Sequence, residues 1–346
     1  MKLNFLKNKK ILITGGTGSI GSSLVLKLFN SNCNVVRVMS NDENGLYELS
    51  KRLNSKGFNN FNFFDSMEKK KIRFFLGDIR DYKRCKEVTN GVDIVIHAAA
   101  LKHVSICEYN PSEVFQTNVV GTNNMLRASI NNKVSKFLFI STDKVVSPTN
   151  IMGLSKLKAE KISINANYFK NNKSTKISCI RFGNVLGSRG SVIPNFVSLL
   201  KNKKNIYVTD KKMTRFVMSL NEATNLILKS IKVMKGKEIF ILKSMNCFKI
   251  YELANALVQH FNKINKKKNI VKFSKKLSSE KFDEELFSKQ EIPFINISQN
   301  MFIIKRYKNK KINKKIINNL EKFRISNFNF MSKIKIINYL KKIKLI

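Results

Sequence analysis

Lys10 to Thr14 reads KILIT, an apolar run that stops at Gly15, Gly16, Gly18 and Gly21, after which helical spacing continues from Ile20 to Phe29. A strand that turns at once into a helix through residues lacking Cβ atoms is the opening of a βαβ unit. The glycines satisfy both Gly-x-x-Gly-x-x-Gly and Gly-x-Gly-x-x-Gly, in the place a dinucleotide requires. Bare backbone lets a pyrophosphate approach, and its charge then meets the helix N-terminus. Gly15, Gly18, Ser19, Ile20 and Gly21 are therefore the first cofactor candidates.

Further apolar runs lie at Asn34 to Met39, Ile72 to Leu76, Val92 to Ala98, Lys136 to Ser141, Lys176 to Phe182 and Glu238 to Leu242. Between them come helical patterns, notably Ser112 to Ile130 and Gly153 to Tyr168. Strands apolar on both faces and separated by helices describe an α/β fold, a Rossmann-like doubly wound parallel sheet. Past Cys247 the alternation weakens into a helix at Ile250 to Phe261 and a lysine-rich stretch, which predicts a smaller C-terminal substrate-binding domain. The expected division gives 1–185 and 213–245 to the dinucleotide domain, and 186–212 and 246–346 to the substrate domain. Met331 to Ile346 has helical spacing and is expected to dock, with weak membrane-surface contact as the alternative.

A 43% apolar content over 346 residues suits a globular enzyme-sized chain. No apolar run is long enough to cross a membrane, and the expected location is cytoplasmic. Five cysteines, Cys33, Cys85, Cys107, Cys179 and Cys247, include no Cys-x-x-Cys pair and read as reduced structural thiols, with no metal site. The net charge of +42 would ordinarily point to nucleic acid, but the excess is diffuse and lysine-dominated, without an arginine patch interleaved with aromatics. A solvated lysine coat is the better reading.

Cofactor choice turns on the end of the second strand, Met39-Ser40-Asn41-Asp42. Ser40 and Asn41 replace the acidic residue that would hold the ribose hydroxyls of NAD, so the reading leans to NADP and leaves NAD open. Asp78 and Ile79, after the third strand, flank the expected adenine position, and Ala98 and Ala99, where the fourth strand ends, are further cofactor candidates. Farther on, ISTDK ends a strand and SPTNIMGLSK starts a helix, setting Asp143 beside Lys144 and placing Met152 and Lys156 on one helix face. An adjacent acid and base at a sheet's carboxyl edge offer proton-transfer chemistry.

The blocks TGGTGSIG, GDIRD, HAAALKHV, EYNP, TNVVGTNN, ISTDK, RFGNVLGSRGSVIP, TDKKMTRF and EKFDEEL run in order along nearly the whole chain. Together they resemble the UDP-N-acetylglucosamine 4,6-dehydratases, in the polysaccharide-biosynthesis branch of the extended short-chain dehydrogenase/reductases. The resemblance implies oxidation at C4 of the sugar, loss of water across C5 and C6, and reduction at C6, with or without inversion at C5. It assigns Lys144 as C5 base, Asp143 as C6 acid, Ser141 or Thr142 as partner of the C4 oxygen, and Lys156 to the nicotinamide ribose. Met152 stands where the wider family carries tyrosine; some relatives share this methionine, and here it is expected to pack by the nicotinamide while another group takes the C4 proton. Lys102, His103 and Asn118 are implied sugar contacts, and Asn184, Arg189 and Arg215 diphosphate contacts. Glu280 is implied at the uridine ribose, although the step reads Leu277-Ser278-Ser279-Glu280-Lys281 in place of Pro-Gly-Glu-Lys.

A UDP-sugar substrate follows from the same resemblance, and a homo-oligomer is expected, either paired through the helices after the fourth and fifth strands or assembled as a larger ring. Two rivals stay open: a UDP-sugar 4-epimerase, which needs no C6 acid, and a dinucleotide-sensing protein without catalysis.

Overall fold

A computed structural model describes residues 3–54, 71–172, 174–266, 268–275, 279–298, 300–309, 314–321 and 330–346. β1 (Lys10–Thr14) passes through the glycine turn into α1 (Ser19–Phe29), followed by β2 (Val35–Ser40), α2 (Glu43–Asn54), β3 (Ile72–Leu76), α3 (Tyr82–Thr89) and β4 (Ile94–His97). Short helices α4 (Val104–Tyr109) and α5 (Pro111–Phe115) lead through a π-helical turn, Gln116–Gly121, into α6 (Thr122–Asn131). Next come β5 (Lys136–Ile140), α7 (Ile151–Asn165), β6 (Lys176–Arg181), β7 (Asn184–Val185), α8 (Val192–Lys201) and β8 (Ile206–Val208). They are followed by β9 (Thr214–Met218), α9 (Leu220–Val233), β10 (Ile239–Leu242), β11 (Asn246–Lys249) and α10 (Ile250–Asn265). The chain ends with β12 (Val271–Phe273), β13 (Ile295–Ile297), β14 (Met301–Ile304), α11 (Lys314–Glu321) and α12 (Lys333–Lys342).

Among the described residues, nine strands form the main sheet in the order β13-β14-β10-β6-β5-β4-β1-β2-β3. The run from β10 to β3 pairs in parallel throughout. Ile11, Leu12 and Ile13 are at most 1% exposed, as a strand covered on both faces must be. The chain winds outward from β1 to β3 and then returns to β4 on the other side of β1. That reversal opens a crevice at the carboxyl ends of the strands, where open α/β sheets bind ligands.

Two features depart from the expected elements. The single helix expected over Ser112 to Ile130 is broken by the π turn, which brings Asn118 inward to bond the backbone of Leu101. Residues 295–304, assigned from sequence to the smaller domain, instead form a hairpin that extends the main sheet antiparallel to β10. Ile295, Phe302 and Ile304 are buried in the main core. An antiparallel strand needs no crossover helix, so the βα alternation carries no signal for it.

A second core, including Phe196, Leu200, Phe248 and Leu257, lies under α8 and α10. α12 docks there as expected, with Ile336 and Leu340 fully buried. No helix among the described residues is long and apolar enough to cross a membrane.

Candidate active site

The glycine turn is shaped by close backbone approach. Gly15 has φ +63°, and a Cβ there would lie 2.8 Å from the Ala99 backbone, so Ala98 and Ala99 form the wall behind the turn. A Cβ on Gly21 would fall 2.3 Å from the Gly15 carbonyl oxygen, which sets how closely α1 seats on the turn. Gly18 precedes α1, and no side chain among the described residues caps it. This is a cradle that fits a pyrophosphate. Beside it the Ser40 and Thr17 hydroxyls bond at 2.9 Å. Asp78 faces Arg80 and Asn41; burial works to raise its pKa, but the Arg80 bonds outweigh this and hold it below the usual carboxylate value. Ile79 packs where Gly121 leaves room on the π turn.

The charged cluster sits just past β5. Thr142 caps a single 3-10 turn, Asp143–Val145, by accepting from the Lys144 amide. Asp143 is fully buried and accepts at Oδ1 from Thr142 at 2.9 Å and from Lys144 Nζ at 3.0 Å. Lys144 Nζ also donates to Asn184 Oδ1 at 3.1 Å and lies 3.4 Å from Glu284 Oε1. Glu284, which no reading of the sequence singled out, is 3% exposed, and the Arg215 Nε stands 3.9 Å from its Oε1. Asp143 Oδ2, Glu284 Oε2 and Glu280 Oε2 are buried without a hydrogen-bond partner among the described residues.

Electrostatics decide the resting protonation of this cluster. Burial pushes the Lys144 pKa down, but Asp143 and Glu284 outweigh it and hold the ammonium above its ordinary value. Burial, reinforced by Asp143, lifts Glu284 above the usual carboxylate value despite Lys144 and Arg215. Sequence left open whether desolvation or direct contact governs Lys144; the contact is made, and it governs.

Around the cluster, Ser141 is committed to Glu160 at 2.7 Å, and Glu160 is in turn bound by the buried Arg181. Thr142 is therefore the hydroxyl of the pair that stays with Asp143. Lys156 is buried, bonds the Ile140 carbonyl and lies 4.1 Å from the Phe139 ring centre; burial brings its pKa down to about 7. Met152 packs with Cys107 and Val114, a purely apolar setting. His97 bonds Thr14 and Thr122, and burial drives its imidazole down to about 3, so it is a neutral structural residue.

The substrate candidates divide. Asn184, Arg215 and Glu284 gather at Lys144. Glu280 lies on the segment tied to the start of α7 by Thr149 and Asn150, which both donate to the Ser279 carbonyl. Leu277 and Ser278 of that step lie outside the described residues. Lys102 donates to the Arg189 carbonyl at 2.7 Å, and a Cβ on Gly190 would meet the His103 ring at 2.4 Å. Arg189 is not with Asn184 and Arg215: its amide donates to Ser19 Oγ, and its guanidinium lies 3.4 Å from Asp42 at the end of β2. Asn118 is fully buried, its amide bonded to Leu101 and Ser155, so it holds the loop before Lys102 and presents no open surface to a ligand.

Comparison with known proteins identifies the family. The profile of a family described as polysaccharide biosynthesis protein matches residues 11–306. An uncharacterised membrane protein of Methanocaldococcus jannaschii is 46% identical over 256 residues, 74% of this chain and 72% of its own. A UDP-N-acetylglucosamine 4,6-dehydratase (inverting) of Campylobacter jejuni is 41% identical over 73% of this chain and 72% of its own. A UDP-glucose 4-epimerase of Rickettsia rickettsii is 39% identical over 77% and 74%. The crystal structure of Pen from Bacillus thuringiensis superposes with a TM-score of 0.88 at 36% identity, covering 99% of both chains.

Proposed function

Since the chain belongs to the polysaccharide-biosynthesis branch of the extended short-chain dehydrogenase/reductases, enzymes that modify nucleotide sugars, we propose that it is an NADP-dependent UDP-N-acetylglucosamine 4,6-dehydratase. The observation that carries this reading is the pair formed by the fully buried Asp143 and the partly buried Lys144 at the carboxyl end of β5, with one carboxylate oxygen left unpartnered among the described residues. Epimerisation at C4 needs hydride transfer but no acid at C6. Elimination of water needs both a base at C5 and an acid at C6.

When bound, the nicotinamide supplies a reversible hydride acceptor for the sugar. The chain's own residues manage protons. Asp143, itself fully buried, takes the C4 hydroxyl proton by way of the Thr142 hydroxyl that donates to its Oδ1 at 2.9 Å, the task that the buried thioether of Met152 is unable to perform. The resulting C4 ketone acidifies C5, and Lys144 as free amine removes the C5 proton. Asp143 then returns its proton to the C6 hydroxyl, which leaves as water. Lys144 gives its proton back to C5 as C6 is reduced, so both residues end as they began. Lys156 holds the ribose, and the diphosphate is assigned to Asn184 and Arg215. The preference for NADP rests on the Arg189 guanidinium beside Asp42, where it offsets an acid that would repel a 2′-phosphate.

Exposed Ile106, Tyr109, Phe115 and Leu154 on α4, α5 and α7 support pairing of two copies there. All five cysteines are buried and free, which suits a reducing cytoplasmic setting.

The test is incubation of the purified chain with UDP-N-acetylglucosamine in deuterated water, read by mass spectrometry. A product lighter by one water and carrying deuterium at C5 is expected. A product of unchanged mass that separates from the substrate by chromatography would overturn this reading in favour of the 4-epimerase one, which the Rickettsia relative favours.

A further inference from the structure

Lys144 presents a contradiction that the dehydratase reading does not resolve. The C5 base must be an amine, yet in this structure the ammonium donates to Asp143 and Asn184 and faces Glu284, and the surrounding carboxylates favour keeping its proton. A proton lost to bulk water would leave the pocket with an added negative charge, which burial opposes.

Resting on that reading, we propose that Glu284 is the proton-holding partner of Lys144, taking the ammonium proton across their contact so that the lysine meets the sugar as a free amine. The Nζ–H bond breaks and an O–H bond forms on Glu284. An ammonium and carboxylate become an amine and carboxylic acid, and the charge of the pair is zero before and after. No external acid or base enters.

Four observations single out Glu284. Its Oε1 is 3.4 Å from Lys144 Nζ, and the residue is 3% exposed, so exchange with solvent is poor. Its Oε2 is buried with no partner among the described residues, an arrangement costly for an anion and far less so for a neutral acid. Its other cationic neighbour is weakly applied: Arg215 donates through NH1 to the Thr214 and Phe282 carbonyls, leaving Nε at 3.9 Å. Lys281 donates to the Val146 carbonyl, which fixes the segment carrying Glu284 over the site. Asp143 is the wrong keeper, because the C4 and C6 steps already use its carboxylate. The groups facing Glu284 are Lys144, Asp143, Arg215 and Lys281, and only Asp143 repels its charge.

Glu284 acts through Lys144 and is a positioning residue, so the decisive readout is the pH profile. The full-length chain and Glu284→Gln are compared for water loss from UDP-N-acetylglucosamine and for C5 deuterium incorporation between about pH 6.5 and 8.5. Internal transfer makes the parent's kcat nearly flat across this range. In the variant the lysine must lose its proton to solvent, so kcat is expected to fall roughly 100-fold near neutrality and then climb about tenfold per pH unit, with KM changed less than about threefold. Glu284→Asp, which restores a proton acceptor, should recover the flat profile, and bound-NADPH fluorescence reports that each variant is folded. Wild-type kcat in Glu284→Gln, or a loss parallel to the parent at every pH, overturns the inference while the dehydratase reading stands. A parent chain that releases no water overturns both.

Discussion

Replacing Lys156 by methionine should stabilise this protein while abolishing its chemistry. Burial lowers the Lys156 pKa from 10.5 to about 7. Between those values the unfolded chain binds a proton that the folded chain does not, so folding at pH 7 carries a cost of about 4 kcal/mol for this one residue. The variant escapes that cost and gives up the Nζ hydrogen bond to the Ile140 carbonyl, worth about 1 kcal/mol. A net gain of about 3 kcal/mol at pH 7 is expected, because methionine fits an unbranched lysine channel. The sign with pH is fixed by proton counting. From pH 7 to 9 the parent gains about 2 kcal/mol relative to the variant, because the folded lysine, half protonated at pH 7, sheds the rest of its proton while the unfolded chain keeps its own. The variant's advantage therefore shrinks to about 1 kcal/mol by pH 9. Urea unfolding at each pH, followed by circular dichroism, measures both numbers, and contributions from the other titrating groups are common to the two chains. A variant less stable than its parent at pH 7, or an advantage that stays constant to pH 9, would refute the reasoning. Loss of sugar turnover in the same stabilised variant would mark Lys156 as retained for function at the expense of stability.

Two substitutions test the cofactor cradle. In Gly21→Ala the new Cβ would lie 2.3 Å from the Gly15 carbonyl and 2.7 Å from the Gly16 Cα, so α1 must retreat by about 1 Å; NADPH affinity is expected to fall about tenfold or more, although alanine favours the helix itself. The chain has no tryptophan, so bound-NADPH fluorescence is read without that background, and an unchanged affinity would show that α1 does not seat the pyrophosphate. Arg189→Ala should weaken NADP about tenfold and leave NAD within about twofold, checked by competition titration; equal losses for both would move the guanidinium's role away from the 2′-phosphate.

The parts of this fold that were legible in the sequence are those whose physical cause is local. A parallel strand covered on both faces writes itself as a short apolar run, and β1, β3 and β5 begin where their runs begin. The glycine cradle was legible because each missing Cβ answers a contact within the same βαβ turn or its immediate wall. The hairpin β13–β14 was not, since a strand reached by a tight turn carries no helix to announce it. The π turn at Gln116–Gly121 was hidden because its sequence is helical on either side, and only the remote Leu101 backbone explains it.

The same distinction decides what could be learned about the chemistry. Asp143 and Lys144 are neighbours in the chain, and Thr142 precedes them, so their grouping is visible from sequence. Their protonation is not. A lone buried lysine loses its proton easily, as Lys156 does; a lysine held by Asp143 and Glu284 keeps it. The third member arrives from a segment 140 residues along the chain, and nothing near Lys144 predicts it. Arg189 follows the same rule: the resemblance put it with the diphosphate, whereas folding sets its guanidinium against Asp42, 147 residues earlier. Local spacing thus identifies which acid and base stand together, but their protonation is set by charges that only the closed chain brings together. That is why the pH profile of Glu284→Gln, more than any substitution within the Asp143–Lys144 pair, separates a working base from an ion pair at rest.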